Sequence, residues 1–344
     1  MKHTDSTRCS RRAVLKRLGL VAGGLALAPT LRVLPALAAP ALKQSSETRL
    51  QLGTMVEMTA LAPSKDQARD AMAHAFAEID RLAAIFSRFD DDAALAALNA
   101  HGRLDHAPDE LLTVLDHSRL LTRQSQGAFD MTIAPVVALL ERTHGEPDPA
   151  DLRAALELVD AARLRQDANS LRLDAAGMAV TLDGIAKGYI ADRAADELRR
   201  HGVAHFCINA GGDIRVQGSP EGLSGGRAWR VAIEDPDKGG RYPAVLSLAD
   251  GAVATSGGYE IFFDAGKTAH HLVDPATGRS PRQVKSVSVQ APTVMQADGL
   301  ATALSVMPPR QALALIAMLP QHECLLLTAD GAHLSSSGWG RERV

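Results

Sequence analysis

Two side-chain oxygens spaced one helical turn apart offer the clearest chemistry in this sequence. In Ala297-Asp298-Gly299-Leu300-Ala301-Thr302, a helix would set Asp298 and Thr302 at i and i+4, on one face. The spacing predicts a helix over 297–307 with the pair in its first turns, where free amides favour an anion or a metal–phosphate pair. A carboxylate and a hydroxyl make an oxygen-only half-site. That suits Mg²⁺, which keeps waters and takes its remaining ligands from substrate phosphates. Taken alone, the same Asp could equally do no more than stabilise a helix N-terminus.

Five other segments carry candidate chemistry. In Asp183-Gly184-Ile185-Ala186-Lys187-Gly188, glycine allows close backbone approach and an outward carbonyl. The spacing is not that of a P-loop, and Ala210-Gly211-Gly212-Asp213 is not a dinucleotide fingerprint. Either segment reads equally well as a tight strand–helix turn. His270-His271-Leu272-Val273-Asp274-Pro275 could supply a general base or a ligand contact, or only a packed histidine beside a turn-forming Asp. Thr255-Ser256-Gly257-Gly258 offers hydroxyls and amides to a phosphate or ring carbonyl, or a plain hairpin turn. Gly127-Ala128-Phe129-Asp130 offers an aromatic face beside a carboxylate, or a helix cap with one core Phe. No G-x-S-x-G elbow occurs, so a serine hydrolase is unsupported.

These segments need a scaffold, and hydrophobic periodicity supplies one. Helices are predicted over 65–86 behind a Ser64 cap, and over 93–99, 108–123, 136–142, 152–158, 189–200, 297–307 and 309–318. Strands are predicted over 49–61 (interrupted at Gly53-Thr54), 205–210, 214–217, 230–233, 245–248, 252–255, 259–263, 287–290 and 323–328. Residues 171–173 and 179–182 read as a hairpin pair. Helices dominate the first half and strands the second. The fold class is therefore α+β, or mixed α/β.

The chain has 344 residues, 46% of them apolar and 22% charged, which excludes a disordered or fibrous protein. Residues 1–38 read as an export leader. Ser10-Arg11-Arg12-Ala13-Val14-Leu15-Lys16 has twin-arginine form, an apolar run follows from Leu18 to Leu31, and Ala36-Leu37-Ala38 is a small-x-small cleavage site. The expected location is the periplasm. Residues 39–48 read as a linker and 49–344 as one domain. The leader holds seven Lys/Arg and one Asp, so the remainder carries 30 basic and 39 acidic residues, net −9 against −3 for the whole chain. An acidic body argues against a nucleic-acid partner. Aromatics at 3% also leave no stacking rows for single strands. Cys9, Cys207 and Cys324 form no CxxC pair, so a structural zinc site is not indicated. Cys207 and Cys324 are expected to be unrelated buried thiols.

Taken in order along the chain, the segments are specific. The sequence resembles the ApbE family, the FAD:protein FMN transferases, over nearly all of the chain beyond the leader. The resemblance runs through Gly53-Thr54, Ser87-Arg88-Phe89 with 95–99, Gly127–Asp130, and Gly184–Gly188 with Tyr189 and Asp192. It continues through Gly211-Gly212-Asp213, Thr255-Ser256-Gly257, His271–Gly278, and Asp298 with Thr302. It implies an ApbE-like fold, with helices around mixed or antiparallel sheets and a ligand cleft between two subdomains. It implies Mg²⁺-dependent cleavage of FAD, with FMN attached through a phosphoester to a Thr or Ser of an acceptor flavoprotein and AMP released.

By the same resemblance, Asp298, Thr302 and the Gly184 carbonyl are the metal ligands. Leu52, Phe89, Ala128, Phe129, Asp130, Thr181, Lys187, Thr255, Ser256, Gly257 and Val273 fall at flavin-nucleotide contact positions. His271 and Asp274 fall near the diphosphate and are the candidates for the base. This chain departs from the family pattern at Leu52 (Met is usual), Phe89 (Tyr in some members), Thr181 (Asp), Gly258 (Asp) and Ala301 (polar in some members). The stretch Thr181–Tyr189 together with the leader is similar to the NosX-like branch, which serves nitrous-oxide respiration. A respiratory membrane-complex subunit is then among the candidate acceptors. Two other readings stay open: an FAD carrier without turnover, and a Mg²⁺-dependent FAD pyrophosphatase releasing free FMN.

Overall fold

A computed structural model describes residues 41–341; the segment expected as an export leader, with its expected cleavage site and Cys9, lies outside the described residues. The first elements are β1 (Lys43–Gln51) and β2 (Thr54–Ala62). Leu52 and Gly53 join them, both at positive φ, 54° and 70°, as a two-residue hairpin turn requires. Residues 43–48, expected as linker, pair in register with Glu57–Ala62. The hydrogen-bonding edge of β2 overrides their weak strand preference.

Helix α1 (Lys65–Phe86) starts where the sequence places it. The Ser64 hydroxyl accepts the Gln67 amide at 3.1 Å, and Ala68, Ala71, Met72, Ala75, Ile79 and Leu82 form its buried stripe. There follow α2 (Ala94–His101), β3 (Arg103–Leu104), α3 (Asp109–Gln124), α4 (Ala134–Arg142), α5 (Pro149–Leu156), β4 (Leu164–Asp167) and β5 (Ser170–Leu173). The expected pairing of 171–173 with 179–182 does not occur, because β5 lies between β3 and β4. The backbone of Val180 is held instead by the Asn99 carboxamide, which accepts its N–H at 2.7 Å and donates to its carbonyl at 2.9 Å. One side chain thus replaces a strand partner and delivers the chain to Gly184.

The second half contains α6 (Ala186–Arg200), β6 (His205–Ala210), β7 (Asp213–Gln217), β8 (Trp229–Ala232), β9 (Val245–Leu248), β10 (Asp250–Gly257), β11 (Val284–Ala291), α7 (Val294–Val306), α8 (Pro309–Ala317), β12 (Glu323–Thr328) and β13 (His333–Ser335). The strand expected over 259–263 shrinks to a single bridge, Phe262 to His270. Eight strands form one sheet in the order β1-β2-β6-β7-β10-β11-β12-β13, every neighbouring pair antiparallel.

Alternation along each strand sorts the two faces. Phe206, Ile208, Ala210, Ala252, Ala254, Val287 and Val289 join the main core with α1, α6 and α7. Val216 and Val253 point to the opposite face and pack beneath the β8–β9 hairpin. Cys207 belongs to the hairpin face and Cys324 to the helix face, with four strand spacings between them, about 19 Å. Both are free thiols, and that separation is far beyond disulfide reach. Burial pushes each up to about 12. The described residues belong to one compact unit, and the candidate site lies where α6 and α7 meet. Among the described residues no helix is long and apolar enough to cross a membrane.

Candidate functional site

Helices α6 and α7 pack across each other at closest approach beside Gly188. A Cβ on Gly188 would lie 2.5 Å from the Val294 carbonyl oxygen and 2.8 Å from Met295 Cα, so only glycine lets the backbones meet there. At that contact the Gly188 amide donates to Asp298 Oδ2 at 3.0 Å. One turn further along α6, the Asp192 carboxylate accepts the amides of Val294 and Met295 at 3.0 and 2.9 Å. Helix α7 starts at Val294 behind a Thr293 cap, three residues earlier than expected. Asp298 consequently stands in the second turn, and Asp192 rather than a ligand occupies two of the first free amides.

The three candidate metal-holding residues converge. Asp298 is buried, with 5% exposure, and Thr302 follows it on the same face. A Cβ placed on Gly184 would fall 2.9 Å from Thr302 Oγ1, so the bare glycine leaves space beside that hydroxyl which any side chain would fill. Ser256 Oγ at the end of β10 lies 3.4 Å from Thr302 Oγ1. Its neighbour Thr255 hydrogen bonds across the sheet to Ser288, 2.7 Å between hydroxyl oxygens, and Gly257 closes against the Tyr259 ring.

Charge at this end of the molecule is dominated by acids around one ammonium. Lys187 Nζ lies 3.1 Å from Asp213 Oδ2; Asp298, Glu260 and His271 are within electrostatic reach of this pair, and Asp183 is within reach of Asp298 and His271. Burial raises Asp298 well above the ordinary carboxylate range, and Asp213 adds to the rise; Lys187 and the Gly188 amide oppose it. Burial likewise pushes Asp213 up to about 6 against the pull of Lys187. Burial works to lower Lys187, yet Asp213 and Asp298 hold it above the usual lysine value. Once both buried carboxyls are ionised, one ammonium leaves an excess of negative charge that a dication would offset. The oxygen-only donors Asp298, Thr302 and the Gly184 carbonyl fit Mg²⁺ chemically.

Other predicted residues line the approach. Phe89 is 77% exposed, and the Arg88 guanidinium packs 4.2 Å from its ring centre while pairing with Asp183 at 3.0 Å. This ion pair ties the exposed ring to the Gly184 loop. Leu52 sits in the β1–β2 turn, and the next threonine, Thr54, packs on Gly211, where a Cβ would come within 2.5 Å of Thr54 Oγ1. The two hairpin turns thus lie side by side ahead of Asp213. The Thr181 hydroxyl accepts the Asp183 amide at 3.3 Å. His271 Nδ1 lies 3.4 Å from the Ile261 carbonyl. Burial lowers its pKa, the Lys187 charge adds to the fall, and the Ile261 carbonyl and Asp183 resist.

Several predicted residues are committed elsewhere. The Asp274 carboxylate accepts the Ala276 amide and the Thr277 hydroxyl, each at 2.9 Å, and so shapes its own turn. Val273 packs with Val136, Leu139 and Leu140 in a satellite core. Phe129 is buried in the main core. Asp130 accepts Thr132 N and Oγ1 at 2.8 and 2.6 Å and the Ala161 amide at 3.0 Å; Ala128 is half-buried. The structure adds three groups that the sequence reading did not assign to the site. Asp213 stood in a motif noticed for its glycines. Glu260 had no signal. Asp192 caps the true start of α7, which Thr293 marks by accepting the Gln296 amide at 3.3 Å.

Residues 52–326 match a model of the ApbE family. An FAD:protein FMN transferase of Treponema pallidum (strain Nichols) is 32% identical over 319 residues, 86% of this chain and 88% of that protein. The flavin transferase ApbE from Vibrio cholerae superimposes with a TM-score of 0.75 at 27% identity, covering 87% of this chain and 98% of that one. The ApbE protein from Thermotoga maritima superimposes with a TM-score of 0.78 at 26% identity, covering 86% and 98%.

Proposed function

This chain belongs to the ApbE family, and from that premise we propose that it is an enzyme transferring FMN from FAD to a threonine or serine of an acceptor flavoprotein, with AMP as the leaving group. The observation that carries the reading is the meeting of Asp298, Thr302 and Gly184 beside the Lys187–Asp213 pair. Asp298, Thr302 and the Gly184 carbonyl would hold Mg²⁺. When bound, the ion supplies neutralisation of the charge that builds on diphosphate oxygens.

The chain's own residues do the rest. The acceptor hydroxyl oxygen forms a bond to the FMN phosphorus as the bond to the bridging oxygen breaks, and AMP departs with that oxygen. His271 receives the hydroxyl proton. Its Nδ1 faces the Ile261 carbonyl, which can only accept, so Nε2 keeps its lone pair. The lowered pKa keeps the ring neutral near neutral pH. Asp274, with both oxygens accepting within its turn, shapes the loop beside that base. Lys187 places positive charge near the departing phosphate. Exposed Phe89 offers a face to a planar ring. The leader supports twin-arginine export and a periplasmic acceptor, with a respiratory membrane-complex subunit a candidate.

The test incubates the protein with FAD, Mg²⁺ and a candidate acceptor, and follows acceptor mass and AMP. A covalent FMN adduct with equimolar AMP, abolished by EDTA and by Asp298→Asn, is expected; removing such a charge-stabilising group typically costs about 10²–10³-fold. Free FMN without an adduct would identify a pyrophosphatase, and intact bound FAD would identify a carrier.

A further inference from the structure

We propose that Asp70, His74 and His201 form a second divalent-metal site, suited to zinc-type ions rather than magnesium, that clamps α1 to the C-terminal end of α6. Asp70 and His74 are i and i+4 on α1 and so share a face. His201 follows the last turn of α6. Its ring stacks on that of His74, centroids 4.2 Å apart and planes 16° apart; a nitrogen lone pair lies in its own ring plane, so holding one ion in common turns these two solvent-reaching rings out of the stack. One ligand atom from each of the three residues lies within 4.8 Å of the others, and His74 Nε2 is 3.9 Å from Asp70 Oδ1.

The surroundings set the histidine chemistry. His201 Nδ1 lies 2.9 Å from the Glu197 carbonyl, which accepts only, so Nδ1 carries the hydrogen and Nε2 is left with a lone pair. A backbone carbonyl that fixes the tautomer of a ligating histidine is the usual outer partner at such sites. Two imidazoles and one carboxylate form an N₂O set that leaves a fourth position for water. Zinc takes that set readily, whereas Mg²⁺ prefers oxygen alone. The fifteen residues of α6 span about 22 Å, so this site stands at the far end of the helix from Lys187. All three side chains reach solvent, so an ion can enter without opening the core. Binding that requires the folded arrangement raises stability by mass action.

The test titrates Zn²⁺ into the full chain under excess Mg²⁺, by calorimetry and by Tm. His74→Ala and His201→Ala are each expected to weaken zinc binding by at least about tenfold and to remove the zinc-dependent rise in Tm. Asp298→Asn is expected to leave both unchanged. Asp70→Asn, which keeps both imidazoles, is expected to weaken binding in the same direction. Equal zinc affinity and an equal Tm shift in the wild type and the His74→Ala/His201→Ala double variant would overturn the assignment.

Discussion

The backbone amide of Gly188 and the carboxylate of Asp298 meet at 3.0 Å across the crossing of α6 and α7. The hydrogen bond exists because residue 188 has no side chain: a Cβ would enter Val294 main chain at 2.5 Å, and backbone cannot rotate away as a side chain can. Gly188→Ala is therefore expected to push the helices apart, costing about 1–3 kcal/mol of stability and most of the flavin transfer. Chemical denaturation and the adduct assay measure the two effects. An alanine variant with wild-type stability would show that the crossing is looser than described.

Gly184 presents a different case, because its neighbour is a side chain. A Cβ there would crowd Thr302 Cγ2 and Oγ1, both at 2.9 Å. Gly184→Ala should weaken the Mg²⁺ requirement curve by displacing the hydroxyl, with little loss of fold. Thr302→Ser removes the methyl and keeps the oxygen, so the double variant should recover part of the loss. Half-maximal Mg²⁺ concentration is the readout, and strict additivity of the two changes would refute the shared space.

The buried acids give a pH signature. Asp213 is raised from 3.8 to about 6 in the folded chain, and Asp298 is raised as well. A carboxyl that holds its proton more tightly when folded favours folding below about pH 4, and the benefit is lost as pH rises through about 6. The Asp213 contribution is on the order of 3 kcal/mol. Without Mg²⁺, stability should fall between about pH 4 and about pH 6.5. Since the ion competes with these protons, the Tm increase on adding Mg²⁺ should be larger near pH 8 than near pH 5. A Mg²⁺ shift independent of pH would remove Asp298 from the metal site.

Phe89 separates binding from stability. At 77% exposure its truncation should change unfolding free energy by no more than about 0.5 kcal/mol. If the ring stacks on flavin or adenine, Phe89→Ala should weaken FAD binding by about 1–3 kcal/mol, seen as a raised KM, and Phe89→Tyr should restore it. An unchanged KM would mean that the ring serves only the Arg88–Asp183 pair.

What the sequence revealed was local. Asp298 and Thr302 are four residues apart, so helical geometry alone joins them. The Ser64 cap and the stripe of α1 are equally short-range. What it hid depends on distant chain segments. Asp213 reaches Lys187 only because β6 and β7 turn at Gly211-Gly212 next to the Leu52-Gly53 turn. Residues 43–48 look like linker until β2 lies beside them. Residues 179–182 look like a strand, but Asn99, more than 80 positions away, already holds Val180. Asp130 falls at a contact position by resemblance, while its partner Ala161, 31 positions away, cannot be inferred from spacing.

Gly188 and Asp192 stand four positions apart on α6, and each engages α7, one through an amide and the other through a carboxylate. Two anchorages on a common ridge fix both the separation and the rotation of the partner rod. The loop between β7 and β8 hangs outside this mount, so a change in its length leaves the two rods in alignment.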